Sequence, residues 1–472
     1  MSRAIREDTI AAISTPIGEG GIGIVRLSGP DSLVIGDEIF SPADGIKPSK
    51  CPTHTIRYGH IMDSKPKNRN SKPAAIVDEV LLTVMRAPKS YTKEDIVEIN
   101  CHGGIRSLKK VLDLALRRGC RLAQPGEFSK RAFLNGRIDL AQAEAVLDVI
   151  RAKTDSALKV AVAQLEGGLS KRVNSVLDAL VDIAAPLEAS IDFPEEGMEP
   201  AGRRDFIKRT DAVIRELERL SGTYGEGAIL REGVLAIICG KPNVGKSSLM
   251  NLLLKRDRVI VSPIPGTTRD AVEEMIGLKG IPVRLVDTAG IADTKDAVER
   301  EGVARSKRYL ALADIAILVL DYSAKLDPGD MTVIKMVSDK KKVIVLNKCD
   351  LAKKIDMNRV RKLFPGGRIV AISVQKKKNI DGLEEALSSA IWAGGFTQGE
   401  GEIVSNARHK ELLDKALGNM LSVRRAFGGR DAPPELIAID LKEAMYHLGL
   451  ITGRSVSDDL LNRIFERFCI GK

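Results

Sequence analysis

The segment Gly240-Lys241-Pro242-Asn243-Val244-Gly245-Lys246-Ser247, with Ser248 after it, sets two glycines, a lysine and a hydroxyl at the spacing of a phosphate-binding loop. In such a loop the backbone N–H groups and the following helix N-terminus cradle the phosphates, Lys246 reaches the β and γ oxygens, and the Ser247 hydroxyl ligates Mg²⁺. A glycine turn with a purely structural role could carry the same letters, but here an apolar run precedes the motif and a helical pattern follows it. Three further elements come in order. Gly266-Thr267-Thr268-Arg269-Asp270 offers Thr268 as a second hydroxyl for Mg²⁺, Asp287-Thr288-Ala289-Gly290 closes a strand on the γ-phosphate side, and Asn347-Lys348-Cys349-Asp350 closes another. The last one selects the base. The Asp350 carboxylate can accept from both N1–H and the exocyclic amine of guanine; adenine has no such donor pair on that edge and would leave the carboxylate unpaired. Ser373-Val374 stands where a fifth element belongs, in a weak form. The expected ligands are GTP and Mg²⁺, and the expected chemistry is hydrolysis of a phosphoanhydride.

The residue that directs the attacking water is not obvious. GTPases such as Ras place a glutamine just after D-x-x-G, and here that position is Ile291, which cannot orient water. Asn243, inside the phosphate loop, could give a side-chain oxygen to a monovalent cation that replaces the charge of an arginine finger. Read alone, it serves equally well as a residue that only shapes the loop.

These residues need a scaffold, and the apolar runs supply one. Leu235 to Ile238, Val283 to Val286, Ile315 to Leu320, Val343 to Leu346 and Ile369 to Ile372 alternate with helical segments, the pattern of a doubly wound parallel sheet. Ahead of them, Ala143, Val146, Leu147 and Ile150 recur at helical spacing. So do Leu158, Val162, Leu165 and Leu169, then Val173, Val176, Leu177 and Leu180. A loop at Asp192 to Gly197, a helix over Arg204 to Leu220 and a glycine-rich break at Ser221 to Glu226 follow. After a glycine-rich linker, Ala393 to Gly401, the chain turns helical again. It ends in a helix capped by Ser457 with Leu460, Leu461, Ile464, Phe465 and Phe468 on one face. The first part, with β-like runs at Ile22 to Leu27 and Val80 to Val84 and a helix at Leu108 to Arg117, reads as a separate α/β domain. The whole is a multidomain α/β chain: an N-terminal α+β domain over 1–124, a discontinuous helical domain over 125–230 and 397–472, and an inserted P-loop, Ras-like G domain over 231–396.

Composition narrows the setting. Seventy-three Lys and Arg against 63 Asp and Glu leave +10, which suits a polyanionic partner or a solvated surface alike. The six cysteines stand singly, without a C-x-x-C pair, which argues against zinc knuckles and disulfide scaffolds and fits a reducing cytoplasm. No stretch approaches the roughly 18 apolar residues of a membrane span. Aromatics at 4% make a base-stacking platform a poor expectation, so any RNA contact should be electrostatic and shape-based.

Other segments carry a resemblance over nearly the whole chain: Asp8-Thr9-Ile10-Ala11-Ala12, the Gly18 to Arg26 segment, the run from Tyr91 to Gly104, the run from Pro125 to Val146, and the terminal Cys469-Ile470-Gly471-Lys472. With the G-domain elements they resemble the tRNA-modification GTPases of the MnmE or TrmE family. The resemblance implies a homodimer whose N-terminal domain binds 5-formyltetrahydrofolate or a related reduced folate. It also implies an FAD-dependent MnmG or GidA flavoprotein partner in a heterotetramer or larger complex. The implied chemistry adds an aminomethyl or carboxymethylaminomethyl group at C5 of the tRNA wobble uridine. It further implies K⁺ ligation by Asn243 with oxygens of Ser262, Ile264 and Thr267, K⁺-stimulated pairing of G domains, and a water-orienting role for Glu299, which alone reads as a solvated helix residue. Arg26, Glu98, Arg137 and Lys472 match the folate-contacting positions; read alone they are a strand-end arginine, surface charges and a frayed tail. Cys469 reads as a half-buried helix residue and His102 as a turn residue. The alternative from another class is an RNA- or ribosome-assembly switch with no nucleoside chemistry.

Overall fold

The computed structural model describes residues 8–63, 75–192, 200–257, 273–287, 309–392, 402–428 and 433–472. Two units account for it: Met1–Leu147 with Gly449–Lys472, and Asp148–Leu448.

In the first unit, strands β1 (Ile10–Ile13), β2 (Gly23–Ser28), β3 (Phe40–Pro42), β4 (Thr55–Asp63), β5 (Ala75–Met85), β6 (Ile96–Cys101) and β7 (Arg121–Leu122) form a seven-stranded sheet in the order β3-β4-β5-β6-β2-β1-β7. Helices α1 (Ser32–Ile39) and α2 (Ile105–Arg117) cover one face. Side chains alternate along a strand, so Val25 and Leu27 of β2 and Val97 and Ile99 of β6 enter that core while Arg26 and Glu98 point to the other face. The antiparallel register sets Arg26 directly opposite Glu98. On that second face lies α3 (Glu127–Leu134), whose Phe128 is fully buried with Ile10 and Ala12.

The C-terminal helix Asp458–Phe465 is capped as expected: Ser457 Oγ accepts from Leu460 N at 3.4 Å. Its buried residues Leu461, Ile464 and Phe465, with Phe468 beyond it, pack on Leu140, Ala143 and Leu147 of α4 (Leu140–Arg151). Leu460 is only partly buried. Residues 125–147 and 449–472 thus pack within the same unit as the N-terminal sheet, whereas the sequence reading grouped them with the helical domain.

The second unit opens with α5 (Asp155–Leu165), α6 (Gly168–Asp192), α7 (Pro200–Gly222) and α8 (Tyr224–Glu232). The stripe expected at Leu158 and Val162 faces water, and the buried face of α5 is Ala157, Ala161 and Gln164. Leu169 belongs to the next helix, because Gly167 breaks the chain at φ +85°. The break expected at Ser221 to Glu226 is one residue wide: α7 ends at Gly222 and α8 begins at Tyr224. Glycine is needed a turn later, where a Cβ on Gly227 would sit 2.1 Å from the Val404 carbonyl oxygen.

A six-stranded sheet follows, from β8 (Val234–Cys239), β9 (Glu273–Leu278), β10 (Ile281–Asp287), β11 (Ile315–Asp321), β12 (Lys341–Asn347) and β13 (Arg368–Ala371), in the order β13-β12-β11-β8-β10-β9. All pairs are parallel except β9 with β10. Its strands bury both faces: Ala236 and Ile238 face one apolar layer, with α9 (Lys246–Asp257), and Leu235, Ile237 and Cys239 the other, with α10 (Pro328–Met336) and α11 (Met357–Leu363). Helix α12 (Ile380–Ile391) completes the first layer. Helix α13 (Ala407–Gly428) returns along α7, with Phe427 stacked on Phe206 at 3.6 Å and Arg424 bonded to Asp211 at 2.6 Å, before α14 (Pro434–Thr452). Among the described residues no helix is long and apolar enough to cross a membrane.

Candidate functional site: a guanine-nucleotide pocket and a basic cluster

The phosphate loop runs from the end of β8 into α9, whose first residue is Lys246. Its turn has three positions at positive φ, Gly240 at 157°, Asn243 at 65° and Gly245 at 99°. Asparagine tolerates that region better than most residues, whereas a Cβ at Gly245 would lie 2.3 Å from Asn347 Nδ2. Lys246 is 7% exposed and donates to the Lys241 carbonyl at 3.0 Å, tucked inside the loop it must serve. Ser247 Oγ donates to Asp287 Oδ2 at 2.7 Å, so the hydroxyl and carboxylate expected beside the phosphates converge on one point. These are hard oxygen donors of the kind Mg²⁺ takes in P-loop enzymes.

Asn347 joins two of the sequence elements. Its Nδ2 donates to the Val244 carbonyl at 2.8 Å and its Oδ1 accepts from Val374 N at 3.1 Å, which ties the phosphate loop to Ser373-Val374 through a residue 3% exposed. Lys348 pairs with Asp321 at the end of β11, at 2.7 Å. Asp350 is exposed, and a hydrogen bond from Ser373 holds its carboxyl below the usual range, so it is ionised at neutral pH. Val244 is buried, and Ser248 is exposed on the first turn of α9. Lys241 is a contact that the motif does not announce: it bonds Asp327 at 2.7 Å and Asp330 at 3.0 Å, the pair that caps α10. Ser262, Ile264, Thr267, Thr268, Thr288, Ala289, Gly290 and Glu299 lie outside the described residues.

The second cluster lies in the first unit. Arg26 Nε donates to Glu98 at 2.7 Å and Arg26 Nη1 to the Gly471 carbonyl at 3.3 Å. The Arg26 guanidinium sits 5.9 Å from the Tyr91 ring and 5.5 Å from the Phe128 ring, and the Arg137 guanidinium lies 4.8 Å from the Tyr91 ring. Burial holds the Lys472 ammonium below the usual lysine range, and neighbouring Arg26 pushes it the same way. All four expected residues therefore converge, and the tail is not frayed: Gly126 N bonds the Cys469 carbonyl at 3.3 Å, and a Cβ on Gly471 would meet the Ile13 carbonyl at 2.3 Å. Tyr91 and Phe128 were missed as site residues. Cys469 is exposed and lies past the helix end, contrary to the half-buried helical position expected. His102 lies in the short connection between β6 and α2, with Nδ1 2.6 Å from Asp78.

Residues 9–137 match the family model "GTP-binding protein TrmE N-terminus" and residues 140–469 the "MnmE helical domain". The tRNA modification GTPase MnmE of Carboxydothermus hydrogenoformans is 47% identical over 467 residues, 99% of this chain and 100% of that one. The chain belongs to the MnmE family. Its relative of the same name in Bacillus subtilis is 47% identical over 468 residues, 98% of this chain and 100% of the other. A solved structure of Era in complex with MgGDPNP and nucleotides 1506–1542 of 16S ribosomal RNA is 26% identical with a TM-score of 0.29, covering 43% of this chain and 69% of that one. With family membership shown, the protein is a GTPase that binds GTP, and the mixed α/β fold with an inserted P-loop domain stands as expected.

Replacing Asn347 by alanine leaves the Val244 carbonyl and the Val374 N–H without their partner. At about 1–3 kcal/mol for each group left unsatisfied, GTP affinity should fall by at least tenfold. Titration of a fluorescent guanine nucleotide measures it; unchanged affinity would remove Asn347 from the role of organising the pocket.

Proposed function

We propose that this GTPase works within a cytoplasmic tRNA-modifying complex that adds a (carboxymethyl)aminomethyl group at C5 of the wobble uridine. In this reading the protein is a homodimer joined to an FAD-dependent flavoprotein of the MnmG or GidA kind, and a reduced folate is its one-carbon donor. The observation that carries the reading is the anchored C-terminal tail, which brings Lys472 to Arg26, Glu98 and Arg137 beside two aromatic rings. A carboxylate such as Glu98 complements the amide-like donor edge of a pterin, arginine and lysine complement a glutamate tail, and Tyr91 and Phe128 give a flat ring something to lie against. A GTPase that only switches assembly needs none of this.

In the G domain, the backbone of the phosphate loop and Lys246 bind and orient the phosphates, Asp350 selects guanine, and Ser247 with Asp287 and Thr268 would hold Mg²⁺, which neutralises charge on the β and γ oxygens. Asn243 with Ser262, Ile264 and Thr267 would hold K⁺, the counterpart of an arginine finger. Glu299 orients the attacking water that Ile291 cannot, and pairing of two G domains would complete the site.

Two measurements test this. The purified protein should bind 5-formyltetrahydrofolate, and Arg26→Ala or removal of Lys472 should weaken binding at least tenfold while GTP affinity stays unchanged; absence of binding at saturating folate would favour the assembly switch. GTP turnover should be faster in K⁺ than in Na⁺ at equal ionic strength. Asn243→Ala should remove most of that difference, and Glu299→Ala should lower kcat on the order of 10² with nucleotide affinity kept. Equal turnover in both salts would end the K⁺ proposal, and wild-type kcat in Glu299→Ala would end the glutamate's role.

A further inference from the structure

The edge of the nucleotide sheet carries an excess of positive charge. The loop after β12 exposes Lys353 and Lys354, and the outer face of α11 exposes Arg359, Arg361 and Lys362. The loop after β13 exposes Lys376, Lys377 and Lys378. The three groups are neighbours by topology: β13 is the edge strand, parallel to β12, α11 connects the two, and Cys349 N donates to the Ile372 carbonyl at 3.0 Å where both loops depart.

Nearby acids offset only part of this charge. Asp350, hydrogen-bonded by Ser373, lies within electrostatic reach of Lys376 and Lys378, and Asp356 caps α11 by accepting from Asn358 N and Arg359 N at 2.9 and 3.2 Å. On α12, Asp381 is paired with Arg256 at 2.6 Å and Glu385 with Lys279 at 4.0 Å. Among the described residues, none of the eight cations forms an ion pair. Eight unpaired cations against Asp350 and Asp356 leave this edge strongly positive, where a surface shaped only by solubility balances the two signs more evenly.

The lysine loop is also rigid. Ser373 and Lys378 exchange backbone hydrogen bonds at 3.2 and 2.9 Å, Ser373 Oγ accepts from Lys376 N at 3.1 Å, and Asn379 Nδ2 donates to the Ala371 carbonyl at 2.9 Å. The turn so formed holds Lys377 in the left-handed region at φ 52°. Three lysines fixed on a turn that follows the edge strand, with a basic helix leading into the same strand, are spread out as a ladder of phosphates requires rather than gathered for a single anion. The stretch has no exposed aromatic on which a base could stack, so the contact it suits is with backbone and shape.

We propose that this edge, formed by α11 and the loops after β12 and β13, docks the phosphodiester backbone of RNA. The proposal rests on the reading that the protein acts on tRNA, and it adds where on the chain the RNA is held. Each phosphate neutralised releases counterions, so affinity falls with salt at a slope of about 0.7–0.9 per contact.

The test is binding of full-length protein to a tRNA transcript across a KCl series, for the wild type, for R359Q/R361Q/K362Q, and for K376Q/K377Q/K378Q. Each triple variant should lose at least tenfold in affinity at moderate salt and lower the slope by about 2, which corresponds to two or three lost phosphate contacts. The helix variant should keep its GTP affinity, which shows that its domain is folded. If the wild type binds tRNA and both variants match its affinity and slope, the docking surface is overturned and the tRNA reading stands. If the wild type does not bind tRNA, both fail. Unchanged tRNA binding with loss of the flavoprotein partner would assign the edge to an acidic protein and also overturn the proposal.

Discussion

One buried amide holds the nucleotide pocket together. Asn347 donates to the Gly240–Ser247 loop and accepts from the Ser373-Val374 loop, so neither can move without losing a hydrogen bond to a side chain that is itself 3% exposed. The sheet makes this possible, because parallel β8, β11 and β12 end on the same side and bring residues a hundred positions apart within bonding distance. The same contact dictates Gly245, since any side chain there would occupy the amide's space. Lys241 extends the lock outward to Asp327 and Asp330, which ties the phosphate loop to the start of α10.

The N-terminal unit solves a different problem with similar means. Strand alternation sends Val25 and Leu27 into the core and leaves Arg26 on the opposite face, where a cation needs company. Glu98 supplies charge from the neighbouring strand, Tyr91 and Phe128 supply ring faces, and the last residues of the chain supply a carbonyl and a second cation. That tail is held by packing, with Phe465 and Phe468 on α4 and Gly471 against the Ile13 carbonyl, rather than by its own charge.

Much of this was legible in the sequence, for identifiable reasons. The runs that became β8, β10, β11, β12 and β13 are buried on both faces and so read as continuous apolar stretches. The phosphate loop was legible because its chemistry is local. What was not legible depends on partners far along the chain. Tyr91 and Phe128 become site walls only when β2 lies beside them, and Lys241 meets its carboxylates across more than 80 positions. Asp321 did leave a signal, an acid closing an apolar run as Asp287 does, which pattern reading passed over. For α5 the periodicity had the right spacing and the wrong face: Leu158 and Val162 are exposed, and the smaller Ala157 and Ala161 make the contact.

The central claim is that the inserted domain is built around recognition of guanine, with Asp350 reading the base above the Asn347 lock. Competition between GTP and XTP for wild type and Asp350→Asn tests it most directly. An amide can donate to the 2-oxo group of xanthine, where the carboxylate repels it, so the variant should lose GTP affinity and gain XTP affinity. Unchanged GTP affinity with no gain for XTP would contradict the account.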